Sequence, residues 1–431
     1  MGPQLVSGRR DARGDIVTAT RKQSAPKPES KPEIYTVVEG DKLRAAVDFL
    51  KRKIVENISI VPVLHLIHAE ARSGVLYLMA TDLDVAARVE LPCSGIGLHP
   101  ILLDAKALSA VLSATKGAEV LIDRQAKDVK LHVGARTFTL PSGGDPEEFP
   151  KVSLVPPSSS APPAVAYDPV ELDAALTFLL PACSTDVSRH NMSGIFHDGT
   201  ILAATDTYRL HIADVGVKIE RGKDESGILP AKAGEALRAA VRMVKVKDAE
   251  VRLVRVRDTR GTESAVSAFY TVCSSAKTDV IVRLRAREVE GTFPPVRNVI
   301  PKPATWSADE GVRVSVEGTS LAAALELAGK VSTEPMYKRV CLAVQGRELE
   351  VTAKSIETGG SFSEAVSAEI DRGNGKVLSC NGVYLQQAVE DIGGKLVQIE
   401  AKDDKTGPIM VTAPGTPERK GWLAILMPMT K

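Results

Sequence analysis

Aromatic residues are scarce in this chain: Phe, Tyr and Trp make up 4% of its 431 residues. Its cores must be built from Val, Leu, Ile and Ala, and little is left for stacking on single-stranded bases. Net charge is almost missing as well, with 55 Lys and Arg against 54 Asp and Glu. A protein whose whole surface wraps DNA is far more basic, so any contact with nucleic acid requires positive charge gathered on one face. The five cysteines stand singly, at Cys93, Cys183, Cys273, Cys341 and Cys380. Their odd number and the lack of any C-x-x-C argue against a disulfide framework or zinc site and fit a reducing cytoplasm. Long apolar runs are absent. The most apolar window, residues 58–69, is broken by Pro62, His65 and His68 and is too short to span a bilayer. The N-terminus shows no secretory signal core, and Val6 stands where a myristoylation signal requires Ser or Thr. A cytoplasmic protein without membrane contact is expected.

Signatures of catalysis are missing too. No G-x-x-x-x-G-K-[ST] is present, and no G-x-G-x-x-G follows a strand, so no nucleotide phosphate cradle is expected. H-E-x-x-H and G-x-S-x-G are absent. His65 and His68, three apart in what reads as a strand, point to opposite faces and cannot chelate together. Asp82 and Asp84 in T-D-L-D read as a polar turn between strands rather than an acid/base pair. The chain is therefore expected not to be an enzyme and to need neither metal nor cofactor.

What is present is repetition. Residues 1–33 read as a disordered basic tail. The stretch V-P-P-S-S-S-A-P-P-A at 155–164 reads as a linker, and I-P-K-P-A at 300–304 is a third break. The breaks leave segments 34–155, 164–301 and 303–431. Each contains a strand, a short polar turn and a second strand, at 74–89, 199–215 and 346–366. Each also opens on a helix (41–54, 169–180, 320–330) and carries another after the strand pair (104–116, 231–245, 381–392). Further strands follow at 118–123, 249–254 and 395–400. The expectation is an α+β protein of three domains, each a doubled unit of helix plus sheet.

The helices of the first two segments carry cations. Arg238, Arg242 and Lys245 fall at i, i+4 and i+7, a stripe opposite the apolar face. Lys106, Ser109, Ser113 and Lys116 share a face at 104–116, and Arg44 and Lys51 share one on the opening helix. The third segment presents Glu326, Glu390 and Asp391 instead. Taken singly these are ordinary solvated faces. Their recurrence on equivalent helices of a neutral chain suits duplex DNA held by its phosphates without base readout. No helix-turn-helix, zinc finger or aromatic RNP-type string suggests sequence recognition.

The motifs A-T-D-L-D at 80–84, A-T-D-T-Y-R-L at 204–210, G-T-F-P-P-V-R-N-V-I-P at 291–301 and the terminal L-M-P-M at 426–429 resemble those of the bacterial beta sliding clamp of DNA polymerase III. E-E-F-P at 147–150 is similar to the close of that family's first domain. The resemblance runs from about Ile34 to the C-terminus. It implies three DNA-clamp domains and a head-to-tail homodimer closing a ring around double-stranded DNA. Such a ring would tether a replicative DNA polymerase and repair proteins, and a clamp loader would open it. A divergent second clamp, acting mainly as a protein-interaction scaffold with little role on DNA, is the alternative.

The resemblance also implies a partner-peptide pocket. In the second domain it would comprise Met192, Thr205, Thr207, Tyr208, Arg209, Leu210, Pro294, Asn298 and Val299. The third domain would add Pro408, Ile425, Met427, Pro428 and Met429. Asn298 stands where the family often has Arg, Tyr208 where it often has His, and the Thr430-Lys431 end replaces Arg-Leu. The ring contact would pair Phe138 and Leu140 with Val331, beside Lys330 where relatives offer an apolar side chain.

Overall fold

The computed structural model describes residues 35–55, 60–114, 116–125, 128–157, 164–216, 218–221, 226–245, 247, 249–260, 263–274, 279–302, 311–332, 338–402 and 407–429. The basic tail, the Ser158 to Ser160 linker and Thr430-Lys431 lie outside them. Six helices stand where apolar periodicity put them: α1 (Gly40–Lys53), α2 (Ala105–Leu112), α3 (Pro169–Leu179), α4 (Ala231–Met243), α5 (Gly318–Val331) and α6 (Gly382–Ile392). Leu43, Val47 and Leu50 are all buried on one side of α1. Asp104, Asp168 and Asn381 cap α2, α3 and α6, each accepting from backbone N–H groups of the first turn. Gly393 ends α6 with a left-handed φ of 71°.

Two helices are shorter than their sequence pattern. α2 stops at Leu112, so Ser113 and Lys116 leave the helix. α4 stops at Met243, and Lys245 takes φ 67°, off the stripe of Arg238 and Arg242. His65 also departs from expectation, because it ends the 3-10 turn Pro62–His65 rather than lying in a strand with His68.

The strands form three antiparallel sheets of five, nine and twelve strands. The larger two do not follow the sequence segments. In the nine-stranded sheet, Ile281–Arg287 of the second segment pairs with Val85–Pro92 of the first, with Val282 opposite Val89 and Leu284 opposite Ala87. In the twelve-stranded sheet, Arg209–Asp214 pairs with Leu423–Leu426, with Leu210 opposite Ile425. Ile34–Lys431 consequently forms one compact unit. The helices pack in pairs, α1 with α2, α3 with α4 and α5 with α6, and across segments as α1 with α4 and α3 with α6. The contacts thus run α2, α1, α4, α3, α6, α5 without a break.

Two of the scarce aromatics, Phe178 and Trp422, meet at the second of these joins. Phe178 of α3 stacks on His211 at 4.4 Å and on Trp422 at 5.4 Å, and Trp422 Nε1 donates to the Asp214 carbonyl at 2.8 Å. A buried ion network ties the nine- and twelve-stranded sheets together. Arg255 grips Glu288 through Nε at 2.7 Å and Nη2 at 2.6 Å, and His197 Nε2 lies 3.4 Å from the same carboxylate. Burial opposes the Glu288 charge, but the hydrogen bonds from His197 and Arg255 outweigh it and hold the carboxyl at about 2. Gly227 is required beside this network, since a Cβ there would collide with Glu288 and Arg255. Among the described residues no helix is long and apolar enough to cross a membrane. No group of three or more His, Cys, Asp or Glu there could hold a metal ion.

His211 makes the sheet join sensitive to acid. Its Nδ1 lies 2.6 Å from the Phe178 carbonyl, and complete burial pushes its pKa from 6.5 down to about 4. A depressed folded pKa stabilises the protein above the unfolded value, and this contribution fades as pH falls from about 6.5 to about 4. The loss is on the order of 3 kcal/mol. Denaturant titrations at pH 7 and pH 4.5 should show wild type losing markedly more stability over this range than His211→Phe. An identical pH dependence would remove His211 as the acid-sensitive group.

Candidate functional site

The turn 205–209 shows how sequence builds a binding surface. Thr205 Oγ1 donates to the Arg209 carbonyl at 2.7 Å and accepts from Thr207 N at 3.1 Å. Asp206 Oδ1 accepts from the backbone N–H groups of Tyr208 and Arg209, both at 3.0 Å. These bonds hold Thr207 at φ 79°, unfavourable for a β-branched residue. Turn 81–85 repeats the device with Thr81, Asp82 and Leu83, the last at φ 84°. There Asp82 also reaches across to Lys232 of α4. Asp82 and Asp84 therefore serve a turn in this structure.

Beside turn 205–209 lies a cavity of about 470 Å³, within the range of roughly 300–1,000 Å³ usual for ligand sites. Leu210, Ile425 and Val296 form its floor and belong to a buried cluster with Phe293 and Ile228. Met192, Pro294, Pro295, Val299, Pro408 and Met427 wall it, and Thr205, Thr207 and Arg209 supply its polar atoms. Of the expected pocket residues, Tyr208, Asn298, Pro428 and Met429 do not line it. Tyr208 is 60% exposed, Asn298 is exposed, and Pro428 and Met429 are half-buried. The Met429 N–H donates to the Ser379 carbonyl at 2.8 Å, tying this stretch to the edge strand Val377–Asn381.

Arg209 has a different role from the apolar walls. It is 8% exposed. Its guanidinium donates to Asp206, to Gln387 of α6 and to the Pro181 carbonyl after α3, and it stacks 4.0 Å from the centre of the Tyr384 ring. The side chain braces the two segments that meet at the cavity. Arg189 Nη1 donates to Thr207 Oγ1 at 2.6 Å and sets a cation at the rim. Sequence reading missed Pro295, Val296, Arg189, Tyr384 and Gln387. For Pro295 and Val296 the signal was available, since both lie inside the 291–301 motif.

Several cations of the helix layer are already paired. Arg44 pairs with Asp41 at 2.8 Å. Lys51 Nζ donates to Ser109 Oγ, which itself donates to Asp48. Ser109 is 8% exposed and Ser113 and Lys116 lie beyond the end of α2, so Lys106, Ser109, Ser113 and Lys116 do not form one open helical face. Lys106, Lys116 and Lys245 are exposed. Arg238 and Arg242 both face Asp173 of α3. Nearby Asp391 is pushed up to about 6, chiefly by burial and then by Glu390.

The residues expected at a chain–chain contact lie at the two ends of the helix layer, beside α2 and on α5. Phe138 is half-buried and Leu140 is 9% exposed on Arg136–Pro141, the edge strand of the five-stranded sheet. Val331 closes α5, and Gly360 lies close to its side chain, just before the strand Ser361–Arg372. Among the described residues, positions 361–367 of that strand have a paired neighbour on one side only, the strand Glu348–Lys354. Arg136 is exposed on the first edge and Glu364 on the second. Lys330 pairs with Glu326 of its own helix at 2.9 Å.

No protein-family model and no curated protein sequence matches the chain. Solved structures do. The DNA polymerase III beta subunit of Thermotoga maritima superposes with a TM-score of 0.75 at 18% identity, covering 92% of this chain and 100% of that one. A sliding clamp from Pseudomonas aeruginosa, solved bound to griselimycin, gives 0.74 at 19% identity with the same coverage. The beta sliding clamp of C. crescentus gives 0.73 at 21% identity, again over 92% and 100%. From end to end of those clamps, this chain has the fold of the DNA polymerase III beta-subunit sliding clamps.

Proposed function

We propose that this protein is a sliding clamp: two copies close head to tail into a ring around duplex DNA, and partners dock in the cavity beside turn 205–209. It performs no chemistry of its own and needs no cofactor. The observation that carries the reading is the unbroken helix layer from α2 to α5 with an unpaired strand edge at either end. Two different edges on one chain make a heterologous contact, which closes only if the rotation returns on itself. Exposed Arg136 on one edge and Glu364 on the other are complementary in charge. A clamp loader and a replicative polymerase are the partners that such a ring requires. The pairing of the helix cations with acids favours a second reading, a clamp-fold scaffold with little role on DNA.

Light scattering at micromolar concentration should report a dimer. Phe138→Asp should give a folded monomer, because it sets a charge into the apolar part of the edge. A wild-type protein that stays monomeric at every attainable concentration would remove the ring.

The cavity suits a short extended peptide with a Gln and two Leu or Phe anchors, the ligand type that the clamp resemblance implies. Methionines at its wall adapt to different partners. Two anchors buried at about 1.5–3 kcal/mol each leave the remainder to backbone hydrogen bonds, so a Kd on the order of micromolar is expected. Calorimetric titration should show such binding, weakened at least about tenfold in Met192→Ala combined with Met427→Ala. Equal affinity for wild type and the double variant would put partner docking elsewhere.

A further inference from the structure

On the facing sides of α3 and α4, one carboxylate serves two guanidinium groups. Arg242 grips Asp173 with both ends of its fork, Nε to Oδ1 at 2.6 Å and Nη2 to Oδ2 at 3.0 Å. Arg238 Nε lies 3.7 Å from Oδ1 of the same carboxylate, too far for a hydrogen bond, and has no acceptor among the described residues. Asp173 is 17% exposed while Arg242 is 51% exposed, so the acid lies beneath the cation that solvent reaches. Close by, Lys53 of α1 is held by Glu235 of α4 at 2.9 Å. Lys53, Glu235, Arg238 and Arg242 line a cleft of about 480 Å³ between α1, α3 and α4, and Asp173 backs the two arginines from beneath. Burial and the neighbouring charge of Arg242 push the Arg238 pKa down, and Asp173 counters this.

We propose that Asp173 is an internal competitor for DNA phosphate, a positioning residue that holds Arg238 and Arg242 in reserve and sets how loosely the ring grips the duplex. This rests on the reading that the helix layer faces DNA. A phosphate diester entering the cleft must take the Arg242 fork from a carboxylate of matching geometry. The gain on contact is then a difference between two similar interactions, small enough for the protein to move along the helix axis. Without Asp173 the two arginines present their full charge and the unpaired Arg238 N–H to the backbone. Retention of the ring would then rest on its closure rather than on tight contacts.

The test is equilibrium binding of a short linear duplex to the full chain across a range of salt, for wild type, Asp173→Asn, Asp173→Ser, Arg238→Gln with Arg242→Gln, and Asp173→Asn in that arginine-free background. Asp173→Asn keeps the shape of the side chain, and the smaller Asp173→Ser guards against a fault of packing in one variant. Both should bind about three- to tenfold tighter than wild type, with a salt slope steeper by about one, because loss of the carboxylate frees one net positive charge for phosphate. The gain should vanish in the arginine-free background. Unchanged affinity and slope in both Asp173 variants, with the arginine variant weakened, would overturn the proposal and leave the DNA-facing reading intact. If the arginine variant binds as wild type does, α4 does not face the duplex and the reading beneath the proposal fails.

Discussion

Strand pairing between segments distant in sequence is the constraint on which everything else depends. Leu210 opposite Ile425 joins the second segment to the chain's end, and Val282 opposite Val89 joins the first to the second. Each pairing carries a helix pair with it, so the helix layer stays continuous only while the sheets do. The cavity depends on the first pairing: Leu210 and Ile425 make its floor, Met427 follows one of the two strands, and Met192, the 294–299 stretch and Pro408 complete its wall. The Phe178–His211–Trp422 stack adds ring packing at that same join.

Much of this fold was legible because it is written in periodicity. Leu43, Val47 and Leu50 mark the buried side of α1, and Asp104, Asp168 and Asn381 mark helix starts through their caps. The repeated A-T-D string marks two turns of the same geometry. Helix ends were less legible. Lys245 adopts the left-handed conformation that a glycine usually signals, so α4 ends without a marker, whereas Gly117, at φ 69°, lies beyond the true end of α2.

The candidate site was legible in its apolar walls and illegible in its polar braces. Arg209 and Gln387 lie 178 positions apart, and Arg242 and Asp173 lie 69 apart. No local pattern reports such a contact. The stripe of Arg238 and Arg242 was visible as spacing, but the acid that faces both comes from a neighbouring helix, and only packing reveals it. A basic face in sequence became a balanced one in three dimensions. That balance agrees with the near-zero net charge of the whole chain.

The proposed function joins two physical ideas: partners would gain affinity from an apolar cavity, and DNA would be held by topology instead of by strong contacts. The most direct test loads the protein onto nicked circular duplex with its host's clamp loader and follows retention before and after the circle is cut. A closed ring predicts long residence on the circle and rapid loss from the free ends of the linear product, at salt high enough to suppress non-specific binding. Equal residence on circular and linear DNA would contradict encirclement and leave a clamp fold used as a scaffold.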